Sequence, residues 1–484
     1  MAGFGRLLAA EWTKLRSVPR WAAALLAAVV LTVLVSLLGS AGSGSDANRH
    51  WDFPTGPDGQ TVTDAFHFVH RPLAGDGSLT ARVHAHTGTG GRLQEWARAG
   101  LMVKDGLEPG SRYAAVMVTG GHGVRLQANF ADDLAGGAAT APRWLRLDRA
   151  GATVTGYESA DGAAWRRVGA VDLGTAAPTV QVGLFVASPA AAELERQFGS
   201  AGIGERPTAS TAGFDQVRLE PAGTAPPPWS DRDVGGPPVP GRAVPAGAGF
   251  TVTGSGDIGI APPDDDVVRL SLAGAFVGLM VLVGLGVVSI TAEYRRGMIR
   301  TTFAASPRRG RVLAAKALVL GAVTFVAGLA ASVAAFQLGQ PMLRANGMGP
   351  PAFPHASLAD GPALRAVVGT AAILAVVAVL GLGAGAILRR SAGAIAGLIL
   401  LLVLPQLVAG ALPLAAARWL LRVTPAAGFA IQQTVPRWSG GPAGLCLPES
   451  GCFPEGPWVG FGVLCAWAAA TLAVAAWLLR RRDA

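Results

Sequence analysis

The chain has 484 residues, 51% of them hydrophobic and 15% charged, and a formal net charge of +9. That is too apolar for an ordinary soluble protein and too polar for a bundle of spans alone, so the composition predicts a membrane protein carrying a soluble part. The charge is unevenly spread: residues 41–266 hold 18 Lys+Arg and 25 Asp+Glu, and the remainder holds 22 and 6, so the pI of 10.4 is no evidence for nucleic-acid binding.

The first element is a helix within residues 1–20. Phe4, Leu7, Leu8, Trp12 and Leu15 fall three or four apart while Arg6, Lys14 and Arg16 lie mostly off that stripe, the pattern of a helix lying along a membrane surface. The apolar run Trp21–Leu38 follows, inside a first span at 21–40. Its basic start and small residues imitate a signal peptide, but the run exceeds the about 7–15 residues of a signal core and predicts a retained helix. Five more runs of spanning length lie within 267–484: Leu270–Ala292, Val312–Leu338, Ala363–Leu388, Ala392–Ala417 and Trp458–Leu479.

Residues 41–220 contain no such run. They break into nine short segments of alternating or β-branched character, from SLTARVHAH to AGFDQVRL, separated by turn residues such as Asp105-Gly106 and Asp161-Gly162. That spacing predicts a two-sheet antiparallel sandwich. Residues 221–266 are rich in Pro and Gly and predict a linker, with FTVTGSGDIGI as one candidate extra strand. The fold class expected is therefore a six-helix membrane protein with an inserted all-β sandwich.

Short basic segments fix the expected orientation. Arg6, Lys14, Arg16 and Arg20, the six arginines of Glu293–Arg311, Arg389, Arg390 and Arg480–Arg482 fall on one side; Arg344, Arg365, Arg418, Arg422 and Arg437 fall on the other. Basic loops resist translocation, so both termini are expected in the cytoplasm and the sandwich outside it. Cys446 and Cys452 then lie in the last external loop, where a short disulfide can form, and Cys465 sits in the last span as a packing residue.

Chemistry-bearing motifs are scarce. No Gly-x-Ser-x-Gly elbow or His-Glu-x-x-His helix occurs, three cysteines do not make a metal site, and no cofactor is implied. Glu193 and Glu195 read as a solvated loop or helical turn, and His84, His86 and His122 as exposed strand or turn positions. The three lysines, Lys14, Lys104 and Lys316, follow Thr, Val and Ala, so none is a phosphate-loop lysine and no ATP hydrolysis is expected on this chain. In the spans, Gly274 and Gly278, and Gly381, Gly383 and Gly385, read as close-packing points, Pro405 and Pro413 as kinks. No acid falls inside a run, which argues against a proton- or sodium-coupled carrier.

Two resemblances add to this. AGLMVKDGLEPGSRYAAVMVTGGHGVRLQ, PRWLRLDRAGATVTGYESADGAAWRRVG and VQVGLFVAS resemble the concanavalin-A-like jelly-roll superfamily over about residues 60–220. The resemblance implies that Trp165 and Tyr157 pack the sandwich and that an extracellular glycan is a conceivable ligand, although no clear calcium loop is present. AEWTKLRSVPRW and ITAEYRRGMIRTTFAASPRRGRVLAAK resemble the permease subunits of type-two ABC exporters, especially actinobacterial ones. That implies an elbow helix at Phe4–Arg16, a coupling helix in the loop 293–311, a separate ATPase chain and a dimer with a like or related permease. Coupling contacts would fall on Glu293, Arg295, Arg296, Met298, Arg300 and Phe303. The alternative is a non-transport membrane receptor or anchor that displays a glycan-binding sandwich.

Overall fold

The computed structural model describes residues 2–43, 54–174, 177–197, 200–220, 227–261, 266–295, 297–298, 308–350, 353, 355–409, 412–434, 453 and 455–481. Helix α1 (Ala2–Ser17) and α2 (Pro19–Gly42) come first, and the β region follows. The chain then forms α3 (Val267–Ser271), α4 (Ala275–Arg295), α5 (Arg309–Ala345), α6 (Gly361–Leu388), α7 (Ser391–Ala409), α8 (Leu414–Val423), a 3₁₀ segment (Pro425–Gln432) and α9 (Pro457–Arg481). Among the described residues, α2, α4, α5, α6, α7 and α9 are long and apolar enough to cross a membrane.

The helices are packed inside out relative to a soluble bundle. On α2 the stripe Ala28, Thr32, Ser36 and Ser40 faces inward, while Leu26, Val30, Leu34 and Leu38 stand exposed. Hydroxyls and small side chains inside with large apolar ones outside fit a membrane-embedded helical domain, where lipid takes the apolar surface and small residues allow close approach. Gly274 shows the tightness: a methyl group added there would sit 2.0 Å from the Thr32 carbonyl oxygen, and its N–H donates to Ser36 Oγ at 3.0 Å. Gly278 against Thr32, and Gly381 and Gly385 against α4, meet their neighbours in the same way.

The fifth apolar run does not continue to Ala417. It ends at Ala409, Pro413 caps the separate helix α8, and Pro425–Gln432 turns back as a buried 3₁₀ segment against α6 and α9. Helix α5 has 37 residues. At about 1.5 Å rise per residue it is longer than the roughly 30 Å hydrocarbon layer requires.

The β region consists mainly of two seven-stranded antiparallel sheets. One runs β10 (Arg166–Asp172), β9 (Thr153–Ser159), β8 (Arg143–Ala150), β3 (Gly77–Gly88), β14 (Ala209–Glu220), β17 (Gly249–Ser255), β16 (Arg242–Ala246). The other runs β15 (Ser230–Val234), β2 (Phe66–Ala74), β11 (Thr179–Ala187), β4 (Arg98–Lys104), β5 (Tyr113–Thr119), β6 (Val124–Ala128), β7 (Asp132–Ala135). Leu79, Val83, Leu145, Leu147 and Phe214 from the first sheet meet Leu101, Val116, Leu126, Val182 and Leu184 from the second. The second sheet is buried on its other face too, where its own Phe66, Phe68, Met102, Tyr113 and Phe185 pack with Val62, Phe130 and Ile258. Burial on both faces explains why β4 and β5 read as unbroken apolar runs without alternation.

All nine expected strand segments are strands, but three other expectations fail. Residues 227–260 are more than a linker with one strand: the candidate FTVTGSGDIGI forms β17 and β18 (Ile258–Ile260), β18 pairs with β1 (Val62–Asp64), and β15 and β16 add an edge strand to each large sheet. Glu193 and Glu195 lie on β12 (Ala191–Gln197), a hairpin strand paired with β13 (Ser200–Arg206), with Glu193 bonded to Arg206. Tyr157 and Trp165 do not pack the core. Tyr157 projects from the outer face beneath the Arg146 guanidinium, and Trp165 is half-buried at the hairpin end.

Candidate functional site

The residues that stand out are four charges gathered at one end of the helical domain. Lys316 Nζ, on α5, donates to Glu11 Oε2 on α1 at 2.6 Å and to Glu293 Oε1 on α4 at 2.8 Å. Lys14 Nζ closes the ring, 2.8 Å from Glu11 Oε1 and 3.3 Å from Glu293 Oε1. Glu11, Glu293 and Lys316 are each 8% exposed at the side chain and Lys14 is 45% exposed.

The sequence builds this clasp by placing an acid in an apolar stripe. Glu11 lies one turn after Leu7 and one before Leu15, so folding α1 onto the bundle carries its carboxylate inward. Burial alone would raise the Glu11 carboxyl, but the Lys316 charge and the hydrogen bonds of Lys14 and Lys316 outweigh it and hold it below its ordinary value of 4.5. Burial likewise opposes the Lys14 charge, and Glu11 and Glu293 together hold it above 10.5. A buried charge stripped of its partners costs several kcal/mol, so the clasp ties α1 to the ends of α4 and α5. Glu293 Oε2 is buried and accepts no hydrogen bond, which leaves the ring unsaturated on the α4 side.

The surroundings link the other helix ends at this same face. Arg309 donates to the Leu479 carbonyl of α9 at 2.7 Å, and the Arg389 guanidinium, just past α6, sits 4.9 Å from the Tyr294 ring. The basic segment expected to meet a partner leaves α4 at Arg295, two residues beyond Glu293 of the clasp. Arg295 and Met298 are exposed there. Glu293, expected among the partner contacts, has its carboxylate bonded to Lys14 and Lys316 within the clasp. Arg296, Arg300 and Phe303 lie outside the described residues, as do Cys446 and Cys452. Cys465 is a half-buried free thiol on α9.

Glu11, Lys14 and Lys316 were absent from the sequence-derived site. A signal for them existed, because only three of the 40 basic residues are lysines and all three pair with buried carboxylates. Trp12, placed on the apolar stripe, is instead 51% exposed.

No family model matches the chain, and no curated protein does. The solved structures that it is similar to match part of the chain. They include a functionally unknown protein from Saccharomyces cerevisiae, at 16% identity over 34% of this chain and 76% of that one, with a TM-score of 0.22. SCP-B, an eqolisin-family peptidase solved with a tripeptide, is 9% identical over 40% of this chain and 99% of its own, with a TM-score of 0.26. The GH43 protein BlXynB from Bacillus licheniformis is 16% identical over 23% of this chain and 24% of its own, with a TM-score of 0.18. Scores this low transfer no chemistry.

At the opposite end of the helices a second polar hub joins the start of α3 to the end of the 3₁₀ segment. Asp266 caps α3 by accepting from the N–H groups of Val268 and Arg269 at 3.1 Å, and it also accepts from Thr434 N and Oγ1 at 2.6 and 2.7 Å. The carboxylate is 3% exposed, and these donors replace water.

Proposed function

We propose that the chain is the membrane-spanning permease subunit of an ATP-driven exporter, with both termini cytoplasmic and the sandwich outside. Energy enters from a separate ATPase chain that grips the basic segment 293–311. The observation that carries this reading is the clasp, which fastens the amphipathic helix α1 to α4 and α5 beside the point where that segment begins. A push on the segment would tilt the ends of α4 and α5 together with α1, since all three share one buried ring of charge. On this reading the exposed Arg295 and Met298 meet the partner, and Glu293 acts as a positioning residue behind them. An anchor for a displayed binding domain needs one span and no such ring.

Affinity purification of the tagged full chain from native membranes tests the proposal. It should recover a polypeptide with a phosphate-binding lysine loop, and Arg295→Ala combined with Arg296→Ala should release it while leaving the chain folded. Recovery of no ATPase from gently solubilised membranes would overturn the reading.

A further inference from the structure

A cavity of about 220 Å³ lies at the end of the helical domain nearest Asp266, between α3, the start of α4, α7 and the 3₁₀ segment. Its wall is mostly apolar: Leu272, Phe276, Phe429 and Phe453 line it, and the Phe276 and Phe429 rings stack at 4.7 Å and 15°. Three polar side chains break that wall, Arg269, Gln406 and Gln432. The space is more than ten times the roughly 10–15 Å³ that one water needs.

Gln406 is the informative residue. Its Nε2 is buried and has no hydrogen-bond partner. An amide in a helix long and apolar enough to span, with a donor left open, is costly unless something inside the cavity accepts from it. The neighbouring amide of Gln432 is already committed, donating to Thr370 Oγ1 at 2.9 Å. An amide N–H₂ and a guanidinium lining one cavity present donors to a planar, anionic acceptor, and the phenylalanines present a surface for hydrocarbon.

We propose that this cavity binds the head and first carbons of a single-chain carboxylate amphiphile. The carboxylate accepts from Gln406 Nε2 and pairs with the Arg269 charge, and the chain lies along Phe276 and Phe429. No covalent step is involved. The site lies within one copy of the chain and stands independently of the transport reading.

The test uses the purified full chain in nanodiscs of zwitterionic phosphatidylcholine and a dodecanoate that carries a photoreactive diazirine, with labelled peptides mapped by mass spectrometry. Label is expected on 269–276 and 429–432. Unlabelled dodecanoate should displace it at about tenfold lower concentration than dodecanol, the gap expected for a hydrogen bond to a charged group. Gln406→Leu should weaken dodecanoate by about tenfold. The isosteric Gln406→Glu should reverse the preference towards dodecylammonium, with helical circular dichroism unchanged in both variants. Label spread over outward residues such as Leu26 and Val326, equal competition by dodecanol, or wild-type binding in the folded Gln406 variants would overturn the proposal.

Discussion

Two buried lysine sites in this chain differ in a way that separates architecture from mechanism. In the sandwich, Lys104 Nζ meets Asp64 Oδ2 at 2.7 Å with neither side chain exposed, and it also donates to the Ser111 carbonyl at 3.0 Å. Gly110 N–H reaches the same Asp64 oxygen at 2.8 Å, and the rings of Tyr113 and Phe130 lie within 6 Å of the ammonium. Burial pushes the Asp64 carboxyl up and the Lys104 ammonium down, so the mutual attraction has to offset two desolvation costs. In the helical domain the ring of Glu11, Lys14, Glu293 and Lys316 joins three separate helices and keeps Lys14 half-exposed. Each site leaves one buried carboxylate oxygen without a partner, Asp64 Oδ1 and Glu293 Oε2, so exposure is what divides them. A pair closed off from water between β1 and β4 fixes a structure. A half-exposed ring across three helices can be remade when they move.

The largest expected effect breaks the sealed pair. Lys104→Met strands a carboxylate in an interior without water and should cost about 3–5 kcal/mol of stability, read from thermal unfolding of the full chain. Joint replacement, Asp64→Leu with Lys104→Met, should recover most of that loss, because a matched apolar pair carries no desolvation penalty. Lys316→Met should cost less, about 2 kcal/mol, since Lys14 stays beside both carboxylates. Equal losses in the two variants would erase the distinction between the sites.

Acid offers a finer separation. Burial pushes the His86 imidazole down to about 4 from its ordinary 6.5. Between those values the unfolded chain binds a proton that the folded sandwich refuses, so stability is lost as pH falls from about 6.5 towards about 4. His86→Gln should flatten that slope, an effect of about 1–2 kcal/mol measured by unfolding at stepped pH. Glu11, held below 4.5, contributes above its unfolded value and loses that contribution only as pH falls through the lower folded one. The clasp should therefore hold at pH 5, where the sandwich has already weakened.

Sequence patterning carried the helices and the nine central strands, because spanning length and β alternation are local properties. It failed where long-range pairing decides. The 221–266 stretch looked like a linker because Pro and Gly dominate it, with one candidate strand at FTVTGSGDIGI; yet Asp231 and Asp233 also pair with Val69 and His67 on β2, and Arg242 and Val244 with Thr253 and Thr251 on β17. Tyr157 and Trp165 were assigned to the core by resemblance, but residue 157 falls on the solvent face of β9, opposite in parity to buried Val154 and Glu158. The basic cluster drew attention to Glu293 but not to the residues that its carboxylate meets. Its partners lie 305 and 23 residues away from each other's positions along the chain, at Glu11 to Lys316 and Glu293 to Lys316, beyond the reach of any periodicity. The scarcity of lysine was the available clue. Arginine is a broad, always-charged fork suited to exposed loops, and a compact ammonium suits a crowded, three-way junction.

The most direct test of the central claim is a double-mutant cycle on ATP hydrolysis by the co-purified complex, with Glu11→Gln and Lys316→Met alone and together. If the clasp carries motion between the elbow helix and the spans, each single change lowers the rate by about tenfold and the pair falls no further, since both cut one link. Wild-type rates in folded single variants, or losses that multiply in the pair, would contradict the account.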